Sequence, residues 1–214
     1  IGVCPDCGYA GYIDRPKEEW IKEFYLSGTW DNGSSEKKSN KNIRRVAHIK
    51  SQQFAGNREI IAAVKKFGID RSRPVCEIGC GYGETLGALK EMGFHKLFGV
   101  ENAPHRAETT AKALGVEILC APFEDKAVQA TFTRQAPFGL IFSSHVLEHT
   151  YHPAEIIRCA ASLQNEGDHL IISVPYFPGE LSMMVIGFLP HLHSFMPSSL
   201  ERLFNSQGYQ VLDT

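Results

Sequence analysis

The stretch that most constrains this chain is Pro74-Val75-Cys76-Glu77-Ile78-Gly79-Cys80-Gly81-Tyr82-Gly83-Glu84. A short apolar run meets an acidic residue, and glycine then recurs at every second position before a helical pattern opens. Glycine supplies positive φ and leaves out Cβ, so backbone N–H groups can approach a ligand closely. A helix starting there adds unpaired N–H groups and the positive end of its dipole. Together these features favour an anionic group at the mouth of an α/β sheet. The dinucleotide pattern G-x-G-x-x-G needs glycine at 79, 81 and 84, but position 84 is Glu84 and the third glycine is Gly83. The spacing E-x-G-x-G-x-G disfavours a nicotinamide enzyme.

Strand and helix patterns alternate downstream. Strands are expected at Val75–Ile78, Leu97–Val100, Val116–Leu119, Leu140–Ser143 and His169–Val174, with a further strand opening at Gln210–Leu212. Helices are expected at Glu84–Met92, Pro104–Leu114, Asp125–Phe132 and Pro153–Leu163, and at Ser198–Gln207 after a loop from Pro175 to Pro197. This repetition predicts an α/β chain with a doubly wound, mostly parallel sheet that binds its ligand at the carboxyl ends of the strands. Upstream, Lys17–Leu26 reads as a helix with Trp20 and Phe24 on its apolar face, joined by Ile21 and Tyr25. Residues 27–42 read as a linker, and Ile43–Phe67 as two helices meeting near Gly56. The basic run Lys37, Lys38, Lys41, Arg44 and Arg45 reads as a solvated face. The expected division is 1–30, 31–73 and 74–214.

A net charge of −2 gives no general electrostatic pull toward nucleic acid. No apolar run reaches the ~18 residues of a membrane helix, and no signal peptide is visible. Six cysteines in 214 residues do not make a disulfide framework, and they predict a reduced, cytoplasmic protein with a metal site. Cys4-Pro5-Asp6-Cys7-Gly8 has the form of a zinc knuckle, in which two thiolates supply one edge of a tetrahedral site. No second C-x-x-C follows, so the other ligands are expected before Ile1. The chain also opens without methionine and stops where a last strand is still owed, and it is expected to be a piece cut at both ends.

Glu101 closes the second core strand about 20 residues after Gly81. In a βαβ unit that position lies beside the glycine turn, where a carboxylate can accept both hydroxyls of a ribose. His145 and His149 flank Glu148 and would share a face if helical. H-E-x-x-H is absent and no third ligand is evident nearby, so cofactor packing is expected there rather than a metal. The loop Tyr176–Phe195 holds Phe177, Leu181, Met183, Met184, Val185, Ile186, Phe188 and Leu189, too much apolar surface for a solvated loop. It is expected to cover the open end of the sheet and to carry His191 and His193 to an acceptor. The candidate bases are therefore His145, His149, His191 and His193, with Tyr176 and Glu148 beside them.

With these motifs in place, the chain resembles the S-adenosylmethionine-dependent methyltransferases of Rossmann-like fold. It is most similar to the branch that methylates small molecules and carries an N-terminal zinc ribbon. The resemblance rests on Val75–Gly83, Glu101, Phe138–His149 (FGLIFSSHVLEH), His191–Phe195, Ser199-Leu200 and Gly208-Tyr209, with Cys4–Gly8 and Arg15-Pro16 at the front. It implies that Gly79, Cys80, Gly81 and the turn to Gly83 carry the methionine part of the cofactor, with Glu77 orienting its amino group through the turn. It implies ribose held by Glu101 with Asn102 beside it. Ala121 to Glu124 would wall the adenine, with Phe123 packing on it, and His145 and Val146 would lie under the sulfonium. Pro122 and Gly139 stand where relatives often have a polar residue and an aspartate. The resemblance implies S-adenosylmethionine as cofactor, structural zinc at Cys4 and Cys7, and a small-molecule acceptor whose O, N or C atom stays open. Two other readings stay open as well. One is a non-catalytic cofactor-binding or partner module of the same fold, and the other is a nucleic-acid methyltransferase using the zinc ribbon and basic run as a grip. The sequence leaves the oligomeric state undetermined.

Overall fold

In the computed structural model, residues 1–27, 55–176 and 191–214 are described. The basic run, the helix from Ile43 and the apolar residues Phe177 to Leu189 lie outside them.

Five parallel strands make the core: β3 (Val75–Ile78), β4 (Leu97–Val100), β5 (Glu117–Leu119), β6 (Leu140–Ser144) and β7 (His169–Ser173). Their spatial order is β5-β4-β3-β6-β7, with Val75 opposite both Leu97 and Leu140. The chain walks outward from β3 to β5, then returns to pair β6 with β3. That reversal opens a crevice at the carboxyl ends of β3 and β6, where such sheets bind ligands.

The helices are α1 (Glu18–Leu26), α2 (Ala55–Lys66), α3 (Glu84–Glu91), α4 (Pro104–Leu114), α5 (Lys126–Thr133), α6 (Pro153–Ser162) and α7 (Pro197–Ser206). Strand residues divide by alternation between two cores. Val75, Leu97, Leu140 and Phe142 pack with Ile60, Val64, Leu86 and Leu89 of α2 and α3. Cys76, Ile78, Val100 and Ile141 face the other way, onto Val128, Phe132, Ile156, Ile157 and Leu163. Helices thus cover both faces, as a doubly wound sheet requires. Phe94, Phe132, Phe138 and Phe142 are fully buried, each contributing about 1.5–3 kcal/mol of transfer free energy.

One expectation needs correction. Gln210–Leu212 forms no strand. The segment is pinned by Tyr209, whose hydroxyl donates to Gln164 Oε1 at 2.6 Å, and by the 2.7 Å pair of Asp213 with Lys66. A groove of about 440 Å³ is lined by both this segment and β7. Of the two helices expected over Ile43–Phe67, the second is α2, which opens at Ala55 beside Gly56, and the first lies outside the described residues.

A small antiparallel sheet sits apart from the core. β1 (Gly2–Val3) pairs with β2 (Ala10–Gly11), and β2 pairs with β8 (His193–Ser194), placing Ala10 opposite Ser194. The N-terminal ribbon is therefore tied to the strand that leads into α7.

Candidate functional site

The glycine turn begins where β3 ends. Gly79, Gly81 and Gly83 all have positive φ, at 69°, 53° and 75°. A Cβ on Gly79 would lie 2.5 Å from Val146 Cγ2, whereas one on Gly81 would meet no protein atom within 4 Å. The bare backbone of Gly81 thus faces open space. Behind the turn, buried Glu77 accepts from the Leu86 N–H and the Thr85 hydroxyl, tying β3 to the start of α3. Burial drives the Glu77 pKa well above the usual carboxylate value, and its Oε2 has no hydrogen-bond partner.

Glu101 stands at the end of β4 beside this turn. Its Oε2 accepts from Gly81 N and its Oε1 from Ala103 N, both at 2.9 Å. Each carboxylate oxygen has a second lone pair, so the group is oriented without being used up.

A cavity of about 420 Å³ opens over the strand ends. Of the cofactor residues expected from sequence, it gathers Gly79, Glu101, Asn102, Phe123, Glu124, His145 and Val146. Glu77, Cys80, Gly81 and Gly83 build the turn behind it and do not line it. Phe123 is buried, and burial also raises the Glu124 pKa.

At the other end of the cavity stand His145, Glu148, His149 and His191. His145 and His149 do not share a helical face. His145 has left-handed backbone (φ 54°) at the end of β6, and only Leu147–His149 form a 3₁₀ turn. Non-glycine residues in that conformation are costly and cluster at functional sites. Glu148 is 1% exposed. Its Oε1 lies 3.5 Å from His145 Nδ1 and 3.6 Å from His149 Nε2. The Glu148 carboxylate raises the His145 pKa. His191 reaches the group from the far side of the chain, its ring centroid 4.6 Å from that of His149. The Leu192 N–H donates to the Glu148 carbonyl at 2.8 Å and holds it there.

His193 is placed elsewhere. It is 1% exposed, it does not line the cavity, and both ring nitrogens are engaged. Nε2 lies 2.9 Å from the Thr150 carbonyl and must donate, so Nδ1 accepts from the Tyr9 hydroxyl at 2.6 Å. Burial pushes its pKa down to about 4, in keeping with that neutral tautomer. Tyr176 is exposed and lines the groove beside β7 instead.

Part of the cavity wall escaped the sequence reading. Ile21, Lys22 and Tyr25 of α1 line it, as do Arg106 and Tyr151. Tyr25 had a signal, its place on the apolar face of an expected helix, but nothing local showed what that face covers. In the structure its ring meets His149 edge-on at 6.0 Å.

The N-terminal Cys4 and Cys7 sit on a tight turn in which Gly8 N donates to the Cys4 carbonyl at 2.9 Å. The Asp6 and Cys7 N–H groups lower the Cys4 thiol pKa, an arrangement suited to a thiolate. Among the described residues no third His, Cys, Asp or Glu joins them in a ligand cluster.

A family model described as a methyltransferase domain matches residues 49–214. The chain belongs to the S-adenosylmethionine-dependent methyltransferases of Rossmann-like fold. The fold of this methyltransferase is shared with the magnesium protoporphyrin IX methyltransferase of Synechocystis, solved with bound SAH, at 16% identity over 92% of each chain and TM-score 0.62. A SAM-dependent methyltransferase from Archaeoglobus fulgidus matches at 17% identity over 78% of this chain and 74% of its own, TM-score 0.57. The sugar N-methyltransferase KedS8 from Streptoalloteichus matches at 22% identity and TM-score 0.50, over 60% of this chain and 51% of that one. The methyltransferase thus spans about half the length of KedS8. No curated protein matches it by sequence. Among the described residues no helix is long and apolar enough to cross a membrane.

Proposed function

We propose that this methyltransferase moves a methyl group from S-adenosylmethionine to a small-molecule acceptor, and that His145 orients the acceptor or takes its proton. The observation that carries the reading is a single cavity joining Gly79 and Glu101 at one end to His145, Glu148, His149 and His191 at the other. The residues present fit the cofactor. The backbone of Gly79 receives the methionine portion with Gly81 shaping the turn behind it, Glu101 the ribose hydroxyls, and Asn102, Phe123 and Glu124 the adenine. When bound, the cofactor supplies the sulfonium methyl and a thioether leaving group. What the chain must add is alignment of the acceptor. His145 stands at the cavity with its side chain half exposed and Glu148 beside it. That carboxylate stabilises the imidazolium formed if the acceptor gives up a proton.

The size and charge of the cavity favour a small molecule over nucleic acid. Its volume lies in the small-ligand range. Its wall carries Glu18, Glu101, Glu124 and Glu148 against Lys22 and Arg106, not the basic surface a polyanion needs. KedS8 and the protoporphyrin enzyme, which share the fold, act on a sugar and a porphyrin. Zinc at Cys4 and Cys7 is kept as a proposal, with further ligands supplied from outside the described residues.

The test is calorimetric titration of S-adenosylhomocysteine, followed by transfer of labelled methyl to a panel of small hydroxyl and amine acceptors. Glu101→Ala should weaken binding by about 2–4 kcal/mol, the loss of two charge-assisted hydrogen bonds. Equal affinity in Glu101→Ala would put the ribose elsewhere. Cofactor binding without transfer to any acceptor would favour the non-catalytic module.

A further inference from the structure

The acceptor end of the cavity holds more than a base. One ligand atom each from Glu148, His149 and His191 lies within 4.8 Å of the other two. Glu148 is 1% exposed, and among the described residues neither carboxylate oxygen has a hydrogen-bond partner, with only His145 Nδ1 and His149 Nε2 near Oε1 at 3.5 and 3.6 Å. A buried carboxylate in that state is costly, and the usual remedies are a paired charge or a metal. Two imidazoles and one carboxylate form a ligand set that holds zinc and related first-row ions while leaving coordination positions open. The three ligands are brought together by backbone structure and not by side-chain chance. Glu148 and His149 sit in one 3₁₀ turn, and the Leu192 N–H to Glu148 carbonyl bond seats His191 across from them.

We propose that Glu148, His149 and His191 bind a divalent transition-metal ion of the zinc type, with its open positions facing the acceptor end of the cavity. Bonds of about 2.0–2.2 Å to N and O ligands draw three such atoms to roughly 3–3.5 Å apart. The present spacing, within 4.8 Å, must close by about an ångström or more for all three to bind one ion. An ion there offers its open positions to an acceptor oxygen or nitrogen, beside His145. The site is separate from Cys4 and Cys7 in both place and ligand chemistry, being nitrogen and oxygen rather than sulfur.

That difference supplies the test. Chelator-treated protein is titrated with Co²⁺ and then with Zn²⁺, by visible spectroscopy and calorimetry. The expected result is one ion, besides any held at Cys4 and Cys7, bound at about micromolar affinity or tighter. Its d–d spectrum should lack a thiolate-to-cobalt charge-transfer band and should persist in Cys4→Ser/Cys7→Ser protein. Glu148→Gln and His191→Asn should each weaken binding by at least about tenfold, in protein shown by melting and by S-adenosylhomocysteine binding to be folded. Two results overturn the proposal. One is wild-type protein that binds no ion more tightly than about millimolar, which needs no variant to interpret. The other is binding that is lost with the cysteines and unaffected by His191→Asn.

Discussion

At the scale of single residues, the group the fold treats most severely is Glu77. It is buried, one of its oxygens is unpaired, and its pKa is raised first by burial, against the partial relief of the Leu86 N–H and Thr85 hydroxyl. A raised folded-state pKa means that the native state holds its proton more tightly than the unfolded chain, where a glutamate titrates near about 4.3. Its contribution to stability is complete below that value and is lost as pH rises above it toward the folded pKa. Glu77→Gln cannot titrate and can keep an acceptor on α3. Between pH 5 and 8 its melting temperature should therefore fall less than that of the wild type. Parallel curves would show that Glu77 is already ionised in the fold, held by the start of α3. The histidines teach a related lesson. The sequence placed four of them near the acceptor, but it could not separate His145 and His191, which line the cavity, from His193, which is consumed by Tyr9 and Thr150. What divides them is hydrogen bonding between residues far apart in the chain, and no local pattern carries that.

At the scale of elements, the glycine turn takes the positive-φ backbone that its spacing implied. Gly79→Ala would place a Cβ against Val146 at a residue with φ 69°. It should lower S-adenosylhomocysteine affinity by at least about tenfold, because Val146 would have to move into the cavity. Gly115→Ala is the matched control. Gly115 shares the left-handed conformation at the end of α4, but its Cβ would meet nothing within 4 Å. It should cost only about 1–2 kcal/mol of stability and leave affinity unchanged, and equal losses in the two variants would mean that backbone strain alone accounts for the effect at Gly79. Core strands such as Val75–Ile78 and Leu97–Val100 were legible because each is a short apolar-rich run closed by glycine or glutamate. Gln210–Leu212 was misread because a strand also needs an edge to pair with, and here the segment and β7 line a groove instead. The helical face drawn through His145 and His149 failed at one residue, where His145 turns left-handed. The role of α1 was hidden for another reason: Tyr25 meets His149, more than a hundred positions later, and amphipathicity shows that a face is covered but not by what.

At the scale of the whole molecule, the chain is closed on itself by the small sheet, which joins its first dozen residues to the strand that follows His191. β2 pairs with β8, the Ser198 hydroxyl donates to the Cys7 carbonyl at 2.8 Å, and the Tyr9 ring packs against Phe195 at 5.9 Å. The Tyr9 hydroxyl is the buried polar link in this closure, donating to His193 while His193 donates to Thr150, next to the acceptor wall. The ribbon therefore bears on the position of His191 through two residues of β-strand backbone. Tyr9→Phe keeps the ring and removes the donor, leaving a buried imidazole nitrogen unpaired at a cost of about 1–3 kcal/mol. For a chain of this size that corresponds to a fall of about 2–12 °C in melting temperature. Amide exchange should quicken at Leu192, His193 and Ser194, whose hydrogen-bonded backbone the latch protects. S-adenosylhomocysteine affinity should stay within about twofold, because Gly79 and Glu101, proposed to hold it, follow β3 and β4. If Tyr9→Phe instead abolished cofactor binding while exchange in β8 stayed unchanged, the ribbon would belong to the cofactor site and not to the frame that holds the acceptor wall in place.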